Sequence, residues 1–248
     1  MQATTAVPVS VAPTRRTPAD HRFYVASAIA LLAIAIVAFV PGIIDASSRR
    51  GPFTLLAAVH GAAFFGWLVL YLVQTVLAST GNLRLHRRLG VVGMFLAIAM
   101  IVIGYLTTID MVRRGFDLSG DLERLGPVIL QTSFQLWGLP VFGGLVLAAV
   151  LNRRRPAVHK RLMWLATASL IGAPVAHAVG HYGLPFLVLP LTNLATLVAN
   201  PLFDRIAHGR MHPVSLWGGV FFVVFANILA VVVTPSPAWQ RFVLWLAS

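Results

Sequence analysis

The chain has 248 residues, of which 58% are hydrophobic and only 10% charged, with 19 Lys and Arg against 7 Asp and Glu for a formal net charge of +12. Soluble domains carry about 25% charged residues, and here the apolar residues gather into runs of about 20, the length a helix needs to cross a bilayer. That excludes a soluble or disordered chain and implies an integral membrane protein, in which basic loops read as topology signals and not as a nucleic-acid surface.

The absence of cysteine excludes disulfides, iron–sulfur clusters, a thiolate haem ligand and covalent c-type haem attachment. The single lysine, Lys160, lies at a predicted membrane edge, so no retinal Schiff base sits deep in a helix.

In chain order, residues 1–22 are polar, with Pro8, Pro13, Pro18 and Arg15, Arg16, Arg22, and read as a disordered cytoplasmic tail. Span 1, over 23–44, lacks a small-residue cleavage signature and reads as an uncleaved anchor. Further spans are expected at 53–79, 88–110, 127–151, 160–180, 184–200 and 213–234. Span 6 is short and holds Pro185, Pro190, Asn193 and Asn200, so six spans is the alternative count. The expected fold is an all-α bundle of seven membrane helices over 23–236. The segment 237–248, with Trp239, Phe242, Trp245 and Leu246, reads as a short interfacial helix.

Placing the N-terminus in the cytoplasm puts thirteen of the nineteen basic residues, from Arg15 to Arg210, on that side, and leaves five of the seven acids outside. That asymmetry obeys the positive-inside rule and puts the C-terminus outside. Asp204, the only cytoplasmic acid beyond the tail, is expected to pair with a neighbouring arginine. The outer stretch 110–126 is mixed in charge and amphipathic, a connector or a lid over the outer mouth. Spans 3, 5 and 7 open on His86-Arg87-Arg88-Leu89, His159-Lys160-Arg161-Leu162 and His212-Pro213, so spans 2–7 read as three hairpins of one design.

Six of the eight histidines fall in two layers. His86, His159 and His212 form an inner layer beside arginines. His60 in span 2 and His177 and His181 in span 5 form an outer layer, and a rise of 1.5 Å per residue puts His60 and His177 at one depth, roughly 27–29 Å above the inner edge. His177 and His181 share a helix face through their i, i+4 spacing. The stripe His60, Phe64, Trp67, Tyr71 and Gln74 faces the interior, while Val69, Leu72 and Val76 face lipid. Gln131, Thr132, Ser133 and Gln135 of span 4 and Thr107, Thr108 and Asp110 of span 3 complete a polar outer layer, and Pro174 is expected to kink span 5 near His177.

Ionisable groups at membrane depth usually mark function. One reading is a redox site in which His60 and His177 ligate haem b, with His181 as a third ligand or proton donor and Gln131 and Gln135 in support. Its partner would be a redox or membrane protein. The inner His86, His159 and His212 would be a second site. Another is a zinc site of His60, His177 and His181 with Asp110. The third has no cofactor, the histidines serving as interhelical hydrogen bonds in a scaffold or small-solute carrier.

On His60 and the His177–His181 pair, the chain resembles the adiponectin-receptor and alkaline-ceramidase superfamily of seven-span proteins, which implies a zinc-dependent membrane hydrolase. It departs from that pattern in holding the pair in span 5 and on the outer side, without the family's serine motif. The segments His60–Gly93, His159–Leu165 and Gly209–Gly219 also resemble a bacterial multi-pass membrane family of unassigned function. That resemblance implies a bacterial cytoplasmic-membrane location and carries no activity.

Overall fold

A computed structural model describes residues 18–45, 47 and 49–248. The tail expected over 1–22 lies mostly outside these residues, and where they begin, at Pro18, the chain is already helical. Helices α1 (Pro18–Ile44), α2 (Leu55–Ser79), α3 (Leu83–Arg114) and α4 (Val128–Leu151) are followed by α5 (Pro156–Ala168) and α6 (Gly172–Tyr182). Then come α7 (Val188–His208), α8 (Pro213–Phe222), a π-helical stretch Val223–Ile228, α9 (Leu229–Val233) and α10 (Pro237–Ala247). No strand occurs among the described residues.

Among the described residues, six helical stretches are long and apolar enough to cross a membrane: α1, α2, α3, α4, α5 with α6, and the run from Pro213 to Val233. The protein is therefore an all-helical membrane protein. The sixth expected span corresponds to α7, which begins later than expected, at Val188, and continues to His208. Thr192, Asn193, Thr196, Asn200, Asp204 and Arg205 make it too polar to count among the six.

Local chemistry sets the helix boundaries. Thr54 and Asn82 cap α2 and α3 by accepting the N–H groups of Ala57 and Leu85, which satisfies donors that have no partner inside the helix. Prolines 156, 213 and 237 open α5, α8 and α10 at their first turns, where a missing N–H costs nothing. Gly115 and Gly209 end α3 and α7 with φ of 76° and 73°, left-handed values that favour glycine.

The expected single span 5 is two helices. Between them Leu170 N–H donates to Thr167 O and Ile171 N–H to Ala168 O, the tighter i→i+3 pattern. Pro174 removes the donor that would have reached Leu170 O, and it sits in the first turn of α6, where proline is tolerated. The break therefore begins five residues before the proline at which the sequence places the kink.

The core runs along the inward face of α2, where Trp67 and Tyr71 are buried with Met100, Phe142, Trp164 and Leu165. Val69 and Val76 are exposed as expected, but Leu72 packs partly against the core. Phe95, Leu147, Trp217 and Val232 are broadly exposed, a surface suited to lipid.

At the arginine-rich end the helices are tied by buried charge. Asp204 on α7 is 0% exposed and Arg161 on α5 is 3% exposed. The two form a bidentate pair, and Ser215 Oγ of α8 and the His212 N–H also donate to Asp204. The expected partner was a neighbouring arginine; the actual one lies 43 residues away, and Arg205 instead donates to Gly209 O. Asp20, assigned by sequence to a disordered cytoplasmic tail, is buried in the first turn of α1 and pairs with Lys160 Nζ at 2.6 Å and His208 Nε2 at 3.2 Å.

Breaking a buried pair leaves an uncompensated charge and costs about 3–5 kcal/mol, whereas replacing the whole set with apolar groups is often neutral. Asp204→Ala should therefore lower the thermal-inactivation midpoint in detergent sharply. The triple variant Arg161→Met, Asp204→Leu, Ser215→Ala should recover most of the loss.

Candidate functional site

The outer-layer histidines meet a loop. The segment after α3 turns at Gly115, enters a 3-10 turn at Asp121–Leu125 and lies across the end of α6. His177 and Asp121 are both mostly buried, and the Nδ1–H of His177 reaches Asp121 Oδ2 at 3.3 Å and Ser119 Oγ at 3.1 Å. His181, one turn on, directs its Nδ1 to the other carboxylate oxygen at 3.3 Å. Ser119 Oγ accepts the Asp121 N–H and donates to Asp117. One carboxylate thus orients both rings.

A carboxylate can only accept, so each neutral imidazole carries its proton at Nδ1 and its lone pair at Nε2. Metal-ligating histidines usually donate their other ring N–H to a carboxylate or carbonyl in this way. Burial alone would raise the Asp121 pKa, but the hydrogen bond from His177, the adjacent Ser119 hydroxyl and the nearby imidazoles outweigh it and hold the group below its ordinary range.

Gly180 makes this contact possible. A Cβ built there would sit 1.8 Å from the backbone oxygen of Asp121, so the loop backbone rests directly on the helix between the two histidines. Beside it a crevice of about 350 Å³ is lined by Arg50, Ser119, Asp121, Arg124 and His181, among others. Glu123, also on its wall, pairs with Arg50.

His60 stacks on Phe64 with ring centroids 4.3 Å apart, and its Nδ1 is buried without a hydrogen-bond partner. Phe39 of α1 packs on His177, centroid to centroid 4.8 Å. The other expected members of the site are engaged elsewhere. Asp110, expected as a metal ligand, pairs with Arg114 one turn along its own helix at 3.1 Å. Gln131 donates to the carbonyls of Leu122 and Gly126, holding the loop, and Gln135 accepts from Thr108 at 2.9 Å. Among the described residues, no group of three or more His, Asp or Glu is arranged to hold a metal ion, so His60, His177 and His181 do not form the expected zinc triad.

Of the inner layer, His86 and His159 come together, with ring centroids 6.4 Å apart. His212 does not join them: its Nδ1 accepts the Val214 N–H and caps α8. Sequence reasoning missed Ser119 and Asp121. The available signal was Gly180, a glycine at i+3 on the face shared by His177 and His181, which marks a surface approached by backbone.

No family model, curated protein or solved structure matches the chain.

Two outcomes are expected. In a Leu122→Cys background, on a chain with no other cysteine, Gly180→Ala should lift the loop and raise thiol-labelling rates by a factor on the order of ten. Because the folded Asp121 pKa is depressed, its stabilisation is complete above the ordinary carboxylate value and fades as pH falls through the lower folded value. Pepsin cleavage within 117–125 should therefore begin only below about pH 3.9.

Proposed function

We propose that this is a haem-binding electron-transfer protein of the membrane, with His60 and His177 as the ligand pair at the end of the bundle covered by the 115–127 loop. The observation that carries the reading is the Asp121 carboxylate, which fixes the Nδ1–H of His177 and leaves Nε2 as the ligating nitrogen. The unpartnered buried Nδ1 of His60 on α2 also supports it, because a buried polar atom without a partner is costly. The donor set also fits: among the described residues no three His, Asp or Glu side chains are arranged to hold a bare metal ion, so a centre that brings most of its own ligands suits two imidazoles better than zinc does.

Bound haem b supplies a one-electron couple in which the iron alternates between ferric and ferrous states, with no atom transferred. The protein's own residues orient the imidazoles. His181, sharing Asp121 with His177 and lining the crevice, is placed to exchange a proton with solvent.

The positive-inside distribution of arginine supports a cytoplasmic N-terminus, seven passes including the polar α7, and an outer location for the crevice. The bacterial resemblance supports the cytoplasmic membrane of a bacterium.

The test is an absorption spectrum of the detergent-purified protein, oxidised and then reduced with dithionite. A Soret band that shifts on reduction, and whose outer-site component disappears in both His60→Ala and His177→Ala, is the expected result. A colourless protein overturns the reading and leaves the histidines as structural hydrogen bonds.

A further inference from the structure

We infer that His86 and His159 form a second bis-imidazole haem site at the arginine-rich end of the same bundle. The inference rests on the haem reading above and extends it to a separate pair of residues.

His86 lies in the first turn of α3 and His159 in the first turn of α5. Each ring is anchored to the end of the helix that precedes it. The Nδ1–H of His86 reaches Gln74 O on α2 at 3.3 Å, and that of His159 reaches Ala149 O on α4 at 2.8 Å. The first anchor is reciprocal, since Gln74 Nε2 donates to His86 O at 3.0 Å. Two hairpins therefore use the same lock, α2 to α3 and α4 to α5, and the locks bring the two imidazoles side by side with their planes nearly perpendicular.

A carbonyl oxygen can only accept, so both neutral rings carry the proton at Nδ1 and the lone pair at Nε2, the arrangement that second-shell carbonyls impose on ligating histidines. The centroids are 6.4 Å apart and the ring planes are at 88°. Metal–imidazole bonds of about 2.0–2.1 Å put trans nitrogens about 4 Å apart, a separation that rings at this spacing accommodate.

The surroundings narrow the ligand class. Among the described residues no third His, Asp or Glu joins the pair as a metal group, so the remaining coordination positions would have to arrive with the ligand, as they do in haem. The bundle end is also rich in guanidinium groups, with Arg84, Arg87 and Arg88 flanking His86 and Arg153, Arg154 and Arg155 preceding His159. Arginine pairs well with carboxylates, and haem carries two propionates.

The experiment is haem quantification on the purified full chain, with low-temperature electron paramagnetic resonance of the oxidised form, for the parent and for His60→Ala, His86→Ala and His159→Ala. The expected result is two haems per chain, falling to one in each variant. The component lost in His86→Ala and His159→Ala should have the strongly anisotropic low-spin signal that perpendicular imidazole planes produce. His86→Gly supplemented with free imidazole should regain that component, which separates lost ligation from lost folding.

One haem per chain, lost in His60→Ala and unaffected by His86→Ala, would overturn this inference and leave the outer site standing. One haem lost in His86→Ala and retained in His60→Ala would uphold it while removing the outer site. No haem in the parent would overturn both.

Discussion

Asp204 is a carboxylate with no exposure to solvent, and a charge in that position survives only if protein donors replace water. Arg161, Ser215 and the His212 amide supply them, which forces α5, the end of α7 and the start of α8 to converge on one point. The position of α5 fixed in this way carries Lys160 to Asp20 on α1, and His159 to the neighbourhood of His86. A large part of the arginine-rich end can thus be traced to satisfying one buried charge, in a protein whose helices gain little from the hydrophobic effect once they are inside lipid.

The opposite end is organised by the same rule through different groups. There Asp121 is the organising carboxylate, brought by a loop and accommodated because position 180 has no side chain. Trp239 of α10 donates to Ser133, and Arg113 of α3 donates to Ala247 O, so α10 closes the side of this end. The polar layer inferred along spans 3 and 4 turns out to be mostly scaffolding: Thr108 with Gln135, and Gln131 with the loop carbonyls.

The membrane class, the inward stripe of α2 and most helix boundaries could be read from the chain because apolar run length and helical period are local properties. The depth assigned to His177 rests on the same rise per residue, counted as if span 5 were one helix, whereas the chain there is α5 and α6. Pairings between distant segments were not legible. Asp204 has arginines beside it in sequence yet bonds to Arg161, because a bidentate buried partner outcompetes exposed neighbours. Asp110 lay at the right depth for the histidines, but Arg114, one turn on along α3, takes it. The break in span 5 was hidden because Pro174 was assigned the kink itself, while the tighter turns precede it.

That break at Ser169–Ile171 has a mechanical meaning. A continuous helix would transmit any tilt at one end of the bundle to the other as a rigid lever. Here α5 is held by the Asp204 knot and α6 by the loop resting on Gly180, with i→i+3 turns joining them. His159 on α5 and His177 and His181 on α6 are therefore mounted on separately anchored segments, and each set can settle its own geometry without straining the other.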